Sequence, residues 1–168
     1  MKARLVIAIT CTLIVTFVAA PAYSNGWAPN TIIEIGIEAD WHHVGDGIGF
    51  TSFVAPDAEG IYWETEFRLK SWQIRRSKSA HLAFYLMDSG SQYDTVSING
   101  FPIALPGTEQ LDKHHASLIS KTVISIPIGL LKKGKNHIRF EATALHNPAP
   151  GNTHDDYEFG DVVLILSR

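Results

Sequence analysis

Eight histidines and several acid clusters are the residues of this chain whose types could do chemistry. The histidines group as His42-His43, His114-His115, and His146 with His154. Neighbouring residues of a strand point to opposite faces, so neither adjacent pair can chelate one ion unless a loop bends it. No His-Glu-x-x-His run supplies the helical spacing a zinc enzyme uses, and ordinary loop histidines account for the pattern. Glu64 and Glu66 would share one strand face, where two carboxylates can in principle flank a glycosidic bond. Solvated strand faces carry such pairs routinely, and there is no Gly-x-Ser-x-Gly elbow and no phosphate loop. Glu38 and Asp40 at the end of a first strand, with Asp155, Asp156 and Asp161 around the last, are hard oxygen ligands of the kind Ca²⁺ takes. Solvated acids at strand ends are the simpler reading of the same residues. Aromatic rings are the remaining class, since a flat ring packs against the apolar C–H face of a sugar. Trp41 and Tyr93 lie in polar loops and are the surface candidates; Trp63 alternates with Ile61 and Phe67 and belongs to a core. Trp72 sits at a strand end, and Trp27 tethers the start of the domain.

The elements that must position these groups read as strands. Over 61–70 the odd positions are Ile, Trp, Thr, Phe and Leu, and the even ones Tyr, Glu, Glu, Arg and Lys, so one face is buried and one is wet. The same period recurs over 32–38 (Ile33, Ile35, Ile37), 81–87 (Leu82, Phe84, Leu86), 95–98, 122–126, 136–142 (Ile138, Phe140, Ala142) and 161–166. With a short strand over 47–54 this makes about eight strands. Turn residues separate them, and Asn99-Gly100 is the cleanest hairpin signal. The one helical turn expected lies around 127–131. Many short strands without a βαβ rhythm predict an all-β fold, an antiparallel sandwich. Three long loops, 40–47, 104–120 and 145–157, are the places where function is expected to sit.

Met1-Lys2-Ala3-Arg4 is basic, residues 5–20 are apolar apart from three threonines and Cys11, and small residues follow at Ala20, Ala22 and Ser24. This is the layout of a cleavable signal peptide over 1–24, cut after Ser24 or after Ala22. A retained membrane anchor is the alternative, since the apolar run is only slightly shorter than a bilayer span. Cleavage would remove the single Cys and two of 14 basic residues, taking the net charge from −3 to −5. Residues 25–168 would then form one acidic, cysteine-free domain outside the cytoplasm, secreted or periplasmic. Disulfides and thiolate chemistry are excluded for it, and nucleic acid is a poor partner for so acidic a chain.

The order of motifs resembles the galactose-binding-domain-like β-sandwich, a jelly roll shared by many carbohydrate-binding modules. The residues that carry the resemblance are Gly60 to Phe67, His81 to Tyr85, the Asp94-Thr95-Val96-Ser97-Ile98-Asn99-Gly100 hairpin, Leu130 to Ile138 with its Lys-Gly-Lys-Asn turn, and Asp155 to Val162. It implies a non-catalytic exported domain that binds glycan through loops at one end, often with a structural Ca²⁺. By that resemblance Trp41, His42, His43, Asp88, Gln92, Tyr93, His154 and Asp155 form the ligand-facing rim, and Glu38, Asp40 and Asp156 hold the calcium. Two other functions remain open from the residues themselves. One is docking to another exported protein through the outward-facing Tyr85, Met87, Val163 and Ile165; the other is a small secreted polysaccharide-degrading enzyme using Glu64 and Glu66.

Overall fold

Alternation of apolar and polar residues leaves the chain no way to bury its hydrophobic positions except as paired strands packed face to face. A computed structural model describes residues 30–35, 41–48, 53–55, 57–89, 94–107, 119–150 and 152–168. In chain order these form β1 (Thr31–Glu34), β2 (His42–Val44), β3 (Tyr62–Leu69), α1 (Ser71–Arg76), β4 (Ser79–Met87), β5 (Thr95–Ile98) and β6 (Phe101–Ala104). Then come β7 (Ser120–Ile126), a 3₁₀ turn (Ile128–Leu130), β8 (Gly134–Glu141), β9 (Ala144–Ala149), β10 (Asn152–His154) and β11 (Tyr157–Ser167).

One sheet runs β1-β11-β4-β7, with β2 also paired to β11; the other runs β3-β8-β5-β6; β9 and β10 make a separate hairpin. All these pairings are antiparallel, and neither large sheet closes on itself. The fold is an all-β sandwich. Its core is where the alternation places it. Phe67 and Leu69 of β3, Leu82, Phe84 and Leu86 of β4, Ile138 and Phe140 of β8, and Leu164 and Leu166 of β11 are all buried. Phe140 from one sheet stacks on Phe159 from the other at 3.8 Å, and Phe84 meets Phe140 edge-on at 5.3 Å. Each such side chain contributes about 1.5–3 kcal/mol by leaving water.

Asn99 (φ 52°) and Gly100 (φ 83°) turn β5 into β6 as the sequence predicts. The 3₁₀ turn also falls where a helical turn is expected. Elsewhere the structure departs from the sequence reading. The described residues of 47–54 are not strand, and the place beside β11 goes to β2, which the sequence assigns to a loop. The 145–157 loop contains the β9–β10 hairpin. Helix α1 was not expected, because six residues are too few to show a period. It is held at its start by the Gln73 side-chain oxygen, which accepts the Lys70 N–H at 2.6 Å, and Arg75 and Arg76 suit its last turn.

Candidate functional site

At one end of the sandwich β2, the segment after β4, the start of β5, and the β10–β11 junction converge. His43 of β2 faces outward from the five-stranded sheet beside Glu158, its register partner on β11, yet both are fully buried. The reason is the segment 53–55, which folds over that row. Glu158 accepts the N–H groups of Val54 (3.0 Å) and Ala55 (2.5 Å), Phe53 lies edge-on to the His43 ring, and His43 Nδ1 reaches Ala55 O at 3.0 Å. His43 Nε2 meets Asp156 Oδ1 at 3.1 Å. Both ring nitrogens thus face oxygen atoms, the Ala55 carbonyl on one side and the Asp156 carboxylate on the other. Asp156 Oδ1 also accepts the Gly47 N–H at 2.8 Å.

A second knot lies beside it. Buried Asp94 accepts from Thr143 N–H (3.0 Å) and Ser89 Oγ (3.3 Å), and its own carbonyl accepts the Leu105 N–H at 2.8 Å. Asp155, hydrogen-bonded to Asp94 through its side chain, donates its N–H to Thr143 O at 2.9 Å. Burial, with Asp155 alongside, pushes Asp94 up to about 7 against the pull of the Thr143 N–H; Asp155 is raised too, mainly by burial. A shared proton between the two carboxyls is what this geometry supports. Asp46 accepts both backbone and hydroxyl hydrogens of Thr153 and the His154 N–H, and His42 Nδ1 lies 3.0 Å from Glu59 Oε1.

The polar residues expected to face a ligand are therefore largely occupied with one another. His42, His154 and Asp155 stay partly exposed, whereas His43 is wholly inside. Asp88 sits beside Asp155. Gln92, Tyr93, Glu38 and Asp40 lie outside the described residues. Of the expected calcium ligands only Asp156 is placed, with Oδ2 buried and unpartnered. Among the described residues no three His, Asp or Glu side chains converge as a metal cage. Glu66 forms an ion pair with Lys135 (2.6 Å) and lies 3.2 Å from His137 Nε2, and the Lys135 hydrogen bond holds its carboxyl below the usual range.

What the sequence does not reveal is a row on the outer face of the five-stranded sheet, one step in from the covered His43–Glu158–Met87 row. Gly160 of β11 stands opposite Tyr85 of β4, and Tyr85 opposite Lys121 of β7. Trp41 immediately precedes His42, which pairs with Phe159, so it comes level with Gly160. Gly160 has no side chain to separate the rings, and Trp41 and Tyr85 meet across it at 6.3 Å, tilted by 35°. The Lys121 ammonium lies 5.9 Å from the Tyr85 ring. A groove of about 270 Å³ continues from Tyr85 and Lys121 along Ala83, Val123 and Val163 to Asp161. Asp161 is exposed, has φ 51°, and lies in the register shift between Gly160 and Val163. A bulge of this kind re-aims a side chain, here a carboxylate beside the groove. Of the four residues expected on this face, Tyr85, Val163 and Ile165 are half-buried and Met87 is buried.

No protein-family model and no curated protein matches the chain. Solved structures similar to it include BuGH86wt in complex with neoagarooctaose, at 13% identity over 82% of this chain and 19% of that one, with a TM-score of 0.39. Another is a family 35 carbohydrate binding module from Clostridium thermocellum, at 15% identity over 84% of this chain and all of that one, with a TM-score of 0.37. The chain thus spans about a fifth of the first of these. At such values the likeness adds nothing to the sandwich that the strand pairing already defines.

Proposed function

We propose that this protein is an exported, non-catalytic domain that binds carbohydrate on the outer sheet face beside its loop end. The observation that carries the reading is the Trp41–Tyr85 pair, two half-exposed rings held side by side over a glycine and opening on a groove with one ammonium and one carboxylate. Rings in that arrangement stack on the C–H face of a pyranose, while Lys121 donates to and Asp161 accepts from its hydroxyls. The knots beneath serve to keep the loop end rigid, so little ordering is needed on binding. Glu66, bound as a solvated ion pair, is a poor proton donor, which favours binding over hydrolysis.

Calorimetry against plant, algal and bacterial polysaccharides tests this. Binding weakened at least about tenfold by Trp41→Ala and by Tyr85→Ala, with the melting temperature unchanged, is the expected outcome. Binding indifferent to both substitutions would overturn the location, and none at millimolar ligand the function. The export half rests on the basic, apolar and small-residue layout of 1–24, and N-terminal sequencing of the exported protein should begin at Asn25. A structural Ca²⁺ belongs to the same reading, with the free Oδ2 of Asp156 as its described ligand atom and Glu38 and Asp40 as the others. Chelation should then lower the melting temperature, and added calcium should restore it.

A further inference from the structure

The end of the sandwich opposite the acidic knots is basic. Arg68 and Lys135 stand opposite each other where β3 and β8 reach that end, with Lys70 just beyond. Lys132 and Lys133 lead into β8 from the 3₁₀ turn, and Arg75 and Arg76 close α1. Lys78 donates its N–H to Ser167 O, which brings it beside Arg168. These are nine of the eleven Lys and Arg among the described residues, and all nine are exposed. The one described carboxylate ion-paired there is Glu66, whereas Asp46, Asp88, Asp94, Asp155, Asp156 and Glu158 gather at the other end.

Apolar groups are exposed among these cations. Trp72 of α1 is 38% exposed with the Arg76 guanidinium 6.0 Å from its ring, and Phe101, at the β5–β6 turn opposite Ile98, is 53% exposed. Ile32 of β1 is 65% exposed. The chain also enters the sandwich here, since Thr31 pairs with Leu166. Residues 21–30 are all that separate the apolar run ending at Ala20 from β1, a reach of at most about 35 Å.

We propose that this basic end, with Trp72 and Phe101, docks on the anionic phosphate headgroups of a membrane. A cationic surface with exposed aromatic rings is complementary to a bilayer interface, where phosphates meet the first apolar carbons. The apolar leader delivers this end to that surface whether or not it is later removed. Docked so, the domain turns the Trp41–Tyr85 groove and the acidic end away from the bilayer. The docking does not depend on what the groove binds.

Flotation of the exported chain, beginning at Asn25 and so without the apolar leader, with phosphatidylcholine vesicles with and without phosphatidylglycerol tests the proposal. Binding should require phosphatidylglycerol, should fall steeply as salt rises from about 0.05 to 0.5 M, and should weaken at least about tenfold in K132E/K133E. Trp72→Phe should remove the blue shift of fluorescence on binding. Equal binding to phosphatidylcholine alone, no binding to either vesicle, binding unaffected by the double substitution, or binding only to a sulfated polysaccharide such as heparin would each overturn it. The salt series needs no variant, so a folding defect in K132E/K133E cannot mask the answer.

Discussion

Gly45 shows how closely the loop end is fitted. It has φ 152°, and a Cβ built there would lie 2.0 Å from Asp156 Oδ1, the atom that accepts from His43 and Gly47. Gly45→Ala must therefore displace the carboxylate or bend β2, and the cost should be about 2–4 kcal/mol in urea unfolding. Asp94 gives a prediction with a sign. Its folded pKa is raised from 3.8 to about 7, so between those values the folded chain holds a proton that the unfolded chain releases. The stability tied to that proton is full below about pH 4 and is lost as pH rises through about 7. Asp94→Asn keeps a neutral side chain at every pH. It should therefore flatten the profile, raising the melting temperature near pH 8 relative to the parent by about 5 °C while changing it little near pH 4. A parent profile without a decline across that window would remove the shared proton from the account.

Two asparagines tie separate elements of the basic end together. Buried Asn136 accepts the Lys132 N–H (2.9 Å) and one Asn99 amide hydrogen (2.9 Å), and donates to Lys132 O and Gly134 O. Asn99 donates to Leu130 O and accepts the His137 N–H, so the β5–β6 hairpin, the 3₁₀ turn and β8 share one hydrogen-bond network. Asn136→Ala would leave buried partners unmatched, and a loss of about 2–4 kcal/mol in thermal or urea unfolding is expected. The hairpin was legible because Asn-Gly is nearly specific to its turn, and β3, β4, β8 and β11 were legible because a buried face imposes period two. β2 was not: three residues with a buried histidine become a strand only because β11 offers an edge. The Trp41–Tyr85 row was equally hidden. Trp41 could be picked as a surface ring, but its neighbour comes from β4 through the register at Gly160, and no local pattern encodes a register between strands some 75 residues apart. The rim histidines and acids were found as residue types, yet their pairing with one another depends on the same distant contacts.

At the scale of the whole molecule, β11 is the strand on which the larger sheet depends. Leu164 lies between Ile33 of β1 and Leu82 of β4, and further along the same strand Phe159 lies between His42 of β2 and Leu86 of β4. Three strands thus take their edge from the last strand described, and two of them, β1 and β2, have no other strand in that sheet to pair with. Pairings between such distant segments close large loops, which places folding in the millisecond-to-second range. They also make the sheet all-or-none. A chain ending at Asp161 loses Val162, Leu164 and Leu166 from the core and unpairs β1 entirely. It should show no cooperative melt and no near-ultraviolet circular dichroism, whereas removal of Arg168 alone, an exposed residue beyond the ladder, should leave both intact. Leu164→Asp places a charge at the centre of the same contacts and should unfold the chain without shortening it, which separates loss of the strand from loss of length. Cooperative melting that survives both changes would mean that β4 and β7 can hold against the second sheet without β11, contrary to the strand order.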